Sequence, residues 1–223
     1  MSISKIYSKQ GDLYYEDTDY PYTYDVRAFF EQYMPLDKFS ILDFGCNTGN
    51  FIKFRDHKNY TGIDIQKHII EHNKIAYPQH TWLHYNGYSR MYNPEGTEKL
   101  RLSENDRYDV CLAFSVFTHI PITEQIEIID VLKKHCKTIM MSFNSTSDTF
   151  HYENICSLVG IDAHNIRRRY ENNGTGFCIQ KKNKLWTFHN PEHLKKYFGA
   201  HIIETTMEKD EITGHQWLAV INN

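Results

Sequence analysis

No Cys-x-x-Cys pair, no excess of positive charge, and no apolar run near the roughly 18 residues of a membrane span occur in this chain. Its five cysteines, Cys46, Cys111, Cys136, Cys156 and Cys178, are scattered. Two of them sit inside apolar, strand-like runs, which reads as buried reduced thiols rather than a disulfide framework or a zinc site. No His-Glu-x-x-His or comparable spacing supports a metal, and none is expected. A net charge of −3 and a pI near 6.5 leave no footprint of a non-specific nucleic-acid binder. The opening Met1-Ser2-Ile3-Ser4-Lys5 lacks the apolar core of a signal peptide, and mean hydropathy is −0.60. The expectation is a cytoplasmic protein without a membrane span. At 223 residues the chain fits one domain of generous size.

What is present is a regular alternation. Short apolar strands are expected at 41–44, 60–65, 81–85, 108–114 and 138–143. Between them lie helical patterns at about 25–33, after residue 50 (Phe51, Ile52, Phe54), at about 66–76 (Ile69, Ile70, Ile75), and from Thr123 as N-cap (Ile126, Ile129, Val131, Leu132). Strand and helix in strict alternation call for a parallel sheet covered on both faces. Regularity lapses over about 144–188. It resumes with a helix capped by Asn190, opened by Pro191 and ended by Gly199. Two strands, 201–206 and 216–221, then face each other across a short polar turn and must be antiparallel. Before residue 25 the chain is crowded with tyrosine and acid, and reads as an arm or lid over residues 1–24.

The most informative stretch is Ile41-Leu42-Asp43-Phe44-Gly45-Cys46-Asn47-Thr48-Gly49, a strand that ends in an acid and passes through two glycines. Glycines there permit positive φ and close backbone approach, and the amides opening a following helix are expected to be free for a ligand. The order Asp-x-Gly-x-x-x-Gly lacks the third glycine of a dinucleotide loop and the lysine of a phosphate loop. An acid at this point repels a diphosphate and attracts a cationic cofactor.

These residues resemble the first motif of class I S-adenosylmethionine-dependent methyltransferases, with Asn47 where the family usually has a third glycine. Asn tolerates the left-handed conformation well. Two further segments agree: Tyr60-Thr61-Gly62-Ile63-Asp64-Ile65, a second strand ending in an acid, and residues 108–121, which resemble the family's fourth-strand motif. The resemblance covers roughly residues 25–223. It implies an α/β, Rossmann-like doubly wound seven-stranded sheet, mostly parallel with an antiparallel last strand and helices on both faces. It also implies a single methyltransferase domain over 25–223 with a substrate-recognition insertion at about 144–188.

By the same resemblance S-adenosyl-L-methionine is the cofactor and S-adenosyl-L-homocysteine the product. Gly45, Cys46, Asn47 and Gly49 would wrap its amino-acid half, and Asp43 would hold its ammonium directly or through water. Asp64 would take the ribose and Ile65 would pack on the adenine. Asn86, Gly87 and Tyr88 would form the adenine edge, with Phe114 and Ser115 in the segment lining the methyl-transfer site. Two imidazoles, His119 after the fourth strand and His215 at the start of the last, are candidate bases at the carboxyl edge. The run Arg167-Arg168-Arg169 in the irregular segment is a candidate contact for an anionic acceptor, as against a solvated charge run.

The expected function is methyl transfer to a small or medium polar acceptor, a hydroxyl of a sugar, surface-glycan precursor or natural product. A small amine acceptor, a catalytically silent cofactor-binding subunit and an NAD-dependent oxidoreductase are the alternatives. Nucleic acid is not expected as partner, because the charge is unsuitable and the Asn/Asp-Pro-Pro-Tyr motif of amino-methylating DNA enzymes is lacking. Oligomeric state is left open.

Overall fold

A computed structural model of the chain describes residues 6–7, 13–14, 26–147, 153, 156–157, 176–181, 184–203 and 216–223. Two short strands, β1 (Ile6–Tyr7) and β2 (Leu13–Tyr14), pair antiparallel. The rest of the tyrosine-rich arm lies outside the described residues, as do Arg167, Arg168, Arg169 and His215.

The main sheet takes its strands in the order expected of a doubly wound fold. β3 (Ile41–Phe44), β4 (Tyr60–Asp64), β5 (Thr81–His84), β6 (Tyr108–Ala113) and the first part of β7 (Cys136–Ser145) are parallel. β10 (His201–Ile203) and β11 (Gln216–Asn222) form the antiparallel finish, β11 lying against β7. Across the sheet the order is β10-β11-β7-β6-β3-β4-β5.

Sheet strands send alternate residues to opposite faces, and both faces are covered. Leu42, Cys111, Ala113, Ile139 and Met141 pack against Ile129 and Leu132 of α3 (Ile122–His135) and Leu194 of α4 (Pro191–Phe198). Ile41, Val110, Leu112 and Met140 face the other way, against Phe29 and Phe30 of α1 (Val26–Glu31) and Ile70 of α2 (Lys67–Ala76). Phe29 and Phe30 are fully buried, each worth about 1.5–3 kcal/mol of transfer free energy. α4 is built as its sequence says: Asn190 accepts from the Glu192 amide, Pro191 occupies the first turn, and Gly199 closes the helix at φ +65°.

Three expectations need correction. Among the described residues the sheet has nine strands rather than seven. The extra pair, β8 (Gly176–Lys181) and β9 (Lys184–His189), is a hairpin inside the segment read as irregular. β9 adds in parallel to the end of β7 through Asn144 and Ser145, beyond the point where β6 stops pairing. Second, no helix follows the glycine loop. Residues 47–52 form turns, with Gly49 donating to Cys46 and Ile52 to Gly49. Phe51 and Ile52 are buried all the same, Phe51 stacked on Tyr60 with centroids 5.8 Å apart. With Gly49 in the left-handed region at φ +81°, helix propagation cannot start there. Third, Thr123 does not cap α3. The helix begins at Ile122, and the Gln125 amide donates to the Phe117 and Ile120 carbonyls, fixing the entering loop instead.

Candidate active site

The carboxyl edge of the sheet gathers most of the residues singled out above. After β3 the chain turns through Gly45 at φ +77° and Asn47 at φ +46°. Asn47 therefore occupies the left-handed conformation that its glycine-like position demands. A Cβ on Gly45 would run into a methyl of Val116, so the loop can pass this close to the segment after β6 only without a side chain.

Every backbone amide from 45 to 49 is occupied within the protein. Gly45 and Cys46 donate to the Ile63 carbonyl, Asn47 to the Asp64 carboxylate at 3.0 Å, Thr48 to the Asn47 side chain and Gly49 to the Cys46 carbonyl. The expectation of free amides at a helix start is thereby corrected. A diphosphate needs such free donors. This loop has none to give among those five positions, and offers carboxylates instead.

Asp43 and Asp64 lie under the loop, 4% and 7% exposed. Asp64 accepts from Asn47 and, at 2.9 Å, from the Gln66 amide, so it ties the loop to the start of α2. Burial raises its carboxyl above the ordinary range, against these amide bonds. Asp43 accepts a 2.6 Å hydrogen bond from the Tyr60 hydroxyl. Burial lifts the Asp43 carboxyl to about 7, opposed by the Tyr60 bond, with Asp64 adding a smaller push. Cys46 is buried and its thiol is pushed up, so it stays protonated and unreactive. Asn73 of α2 donates to the Asn47 carbonyl at 2.6 Å and pins the outside of the loop.

Beside the loop opens a cavity of about 520 Å³, lined by residues that include Ile65, Gln66, His68, Asn86, Tyr92 and Asn93. Ile65 and Asn86 thus face the cavity, whereas Tyr88 is 55% exposed. Gly87 and Asn86 are held by Asn93, whose amide donates to the Gly87 carbonyl and the Asn86 side chain, each at 2.9 Å. Phe114 turns to α1, edge-on to Phe29 at 5.1 Å. Ser115 has φ +57°, an unfavourable conformation held by a 2.6 Å bond from its amide to the Ser142 hydroxyl.

His119 ends a short 3-10 turn (Phe117–His119) after β6. Its Nδ1 lies 2.7 Å from the Leu185 carbonyl of β9. A carbonyl only accepts, so Nδ1 carries the proton and Nε2 presents a lone pair. Burial lowers the imidazole's affinity for a second proton, the Leu185 carbonyl opposing in part. The Tyr92 ring stands edge-on to His119 at 6.0 Å, so one tyrosine touches both the cavity and this histidine. The Thr187 hydroxyl donates to the Ile120 carbonyl at 2.8 Å, fastening the hairpin to the same turn. Among the described residues no group of His, Cys, Asp and Glu is arranged to hold a metal, and no helix is long and apolar enough to cross a membrane.

Sequence reasoning missed Tyr60, Tyr92, Ser142 and the β9 contacts. The strand-favouring runs Phe177-Cys178-Ile179 and Leu185-Trp186-Thr187-Phe188 on either side of polar Lys181-Lys182-Asn183-Lys184 were the available signal for the hairpin. Nothing local marks Tyr60 or Ser142, whose roles come from partners on other strands.

A doubly wound sheet with a glycine-containing loop and two buried acids on its first parallel strands is an architecture suited to a nucleoside-type ligand at the carboxyl edge. The sequence model of the methyltransferase domain family matches residues 16–209, and the chain belongs to that family: it is an S-adenosylmethionine-dependent methyltransferase. No curated protein matches its sequence. The fold is similar to magnesium protoporphyrin IX methyltransferase from Synechocystis PCC 6803 with bound S-adenosylhomocysteine. That likeness has a TM-score of 0.54 at 15% identity, over 89% of this chain and 80% of the other. It is also similar to the PH0226 protein from Pyrococcus horikoshii OT3 (TM-score 0.53, 14% identity, 89% and 87% covered). A glycopeptide N-methyltransferase complexed with S-adenosylhomocysteine gives a TM-score of 0.53 at 7% identity, over 89% and 88% of the two chains.

Proposed function

We infer that this enzyme methylates a hydroxyl of a small or medium polar acceptor, such as a sugar, surface-glycan precursor or natural product, with His119 as general base. The observation that carries the reading is the 2.7 Å contact between His119 Nδ1 and the Leu185 carbonyl, which fixes the tautomer whose Nε2 accepts a proton. Burial keeps the ring neutral at pH 7, the form a base requires. An amine acceptor arriving unprotonated has no need of such a group. Absence of a basic surface composition supports a small molecule or glycan over nucleic acid, and the arginines at 167–169 supply contacts if the acceptor is anionic. A cytoplasmic location fits reduced, scattered cysteines.

The cofactor, when bound, supplies an electrophilic methyl on its sulfonium. The residues at the carboxyl edge fit it: acidic under the loop, without free amides at 45–49, and beside a cavity of nucleoside size. In this reading Asp43 faces the ammonium end, and Gly45, Cys46, Asn47 and Gly49 shape the loop around the amino-acid half. Asp64 has lone pairs to spare for ribose hydroxyls beyond its two amide bonds. Ile65 packs on the adenine, with Asn86, Gly87 and Tyr88 at its edge, and Phe114 and Ser115 bound the methyl-transfer side. The chain's own contribution to rate is then orientation of the acceptor and removal of its proton by Nε2. Residues 1–24 would close as an arm over this face, and 144–188, the segment that carries β8 and most of β9, would provide acceptor recognition.

The test is transfer of labelled methyl from S-adenosylmethionine to a panel of sugars, nucleotide sugars and polyols against a panel of amines. His119→Ala should lower turnover on the active hydroxyl acceptor about 10²–10⁴-fold with cofactor affinity nearly unchanged. The wild-type rate should fall only as pH drops below the usual imidazole range. Transfer confined to amines, or full turnover by His119→Ala, would refute the reading.

A further inference from the structure

Tyr60 and Asp43 form a buried pair, and the methyl-transfer scheme above gives the Tyr60 hydroxyl no part. The hydroxyl donates to Asp43 Oδ2 at 2.6 Å, both side chains being almost wholly buried. Around Asp43 the polar neighbours are Tyr60 and Asp64 from β4, the Cys46 thiol from the loop and the Cys111 thiol from β6. None of these is a cation. His68 of α2 faces Asp64 rather than Asp43. Asp64 already accepts two amide bonds that favour its ionised form. Two buried carboxyls therefore lie close together, one with strong reason to ionise and the other with one side-chain donor among the described residues.

We propose that binding of the cationic amino-acid end of the cofactor displaces a proton from Asp43, so that Tyr60 acts as a positioning residue which holds the emptied carboxylate by its hydroxyl. This rests on the placement of Asp43 at the ammonium end. The O–H bond of the Asp43 carboxyl breaks, the proton passes to solvent, and the ligand's positive charge takes its place. Affinity then depends on pH in a defined sense. Below the Asp43 midpoint the proton competes with the ligand and binding weakens; above it the carboxylate is ready and affinity levels off. Burial places that midpoint at about 7. Tyr60 suits the role because its ring is separately secured, stacked on Phe51 and edge-on to Trp82 at 5.5 Å. Removing only the oxygen should leave the packing intact.

The test is titration calorimetry of the full chain with S-adenosylhomocysteine in two buffers of different ionisation enthalpy, from about pH 5.5 to about pH 7.5, below the range of an ordinary α-amino group. About half a proton should leave per ligand near pH 7, with affinity falling up to about tenfold per unit at the acid end. Adenosine, which has no ammonium, should release none. Asp43→Asn should bind more weakly, without proton release and without pH dependence in this range. Tyr60→Phe should shift the dependence to higher pH, since a bond favouring the carboxylate is lost, and weaken binding about 3–10-fold at pH 7. Binding of S-adenosylhomocysteine with no proton release, or release that survives Asp43→Asn, overturns the proton coupling. No binding at any pH overturns the cofactor placement beneath it, a different and separately visible failure.

Discussion

Along β3, β4 and the loop that leaves β3 the site is tied by bonds of modest span: Asp43 to Tyr60 and Asn47 to Asp64 each bridge 17 residues. At the end of β6 the ties are long. His119 to Leu185 spans 66 residues and Ile120 to Thr187 spans 67, because the β8–β9 hairpin must return to complete the turn. The β3–β4 side is thus specified by one βαβ-sized stretch of sequence, and the β6 side by a hairpin docked onto it. On the functional reading proposed above, the contrast teaches that cofactor binding could stay constant while the hairpin and its neighbours change what is methylated.

The comparison can be broken or sharpened by experiment. The largest expected effect falls on the acceptor side, in acid. His189 at the end of β9 is 1% exposed and edge-on to Phe143. Burial pushes its pKa down to about 4, the Phe117 carbonyl opposing in part. The unfolded chain binds the proton near 6.5, so stability from keeping this ring neutral is present above that pH and is lost as pH falls toward 4. The loss should approach about 3 kcal/mol. Urea unfolding of wild type and His189→Leu across this window checks it, and parallel pH profiles of the two would remove His189 as the cause.

On the cofactor side, Asp64→Ala should weaken S-adenosylhomocysteine binding by about 1.5–3 kcal/mol, because it removes a charged acceptor and frees the Asn47 and Gln66 amides. Calorimetry measures this. An unchanged affinity would mean that Asp64 serves the loop alone.

The smallest effect tests the seam between the two sides. Thr187→Val removes one hydroxyl bond to the Ile120 carbonyl, worth about 1 kcal/mol. If the hairpin positions His119, turnover should drop by up to about tenfold while cofactor affinity stays level. A change in cofactor affinity instead of turnover would show that the two sides are not separable.

Legibility in the sequence follows the same division. Gly45, Asn47, Gly49 and the ends of most strands could be read directly, since backbone conformation there is dictated by residue type. Asn47 at φ +46° is the clearest case. The ends of α4 were equally plain, because caps are local chemistry. What sequence could not supply were contacts made across strands: Tyr60 on Asp43, Ser142 under Ser115, Leu185 on His119. The missing helix after residue 49 shows the converse error. Phe51, Ile52 and Phe54 have helical spacing, but left-handed Gly49 and the stack on Tyr60 decide the local path.

That helix-free crossover has a kinetic meaning. Its 47–52 turns have no continuous backbone ladder to nucleate them, and they gain support only when Phe51 can settle on Tyr60 and Trp82 is in place beside it. The cofactor loop should therefore assemble after the transition state, whereas α3 and β7, contiguous in sequence, are suited to form early. A ligand that engages only late structure slows escape from the native state without hastening arrival. Saturating S-adenosylhomocysteine should lower the unfolding limb in stopped-flow measurements and leave the refolding limb where it was. A faster refolding limb would place the loop in the nucleus instead.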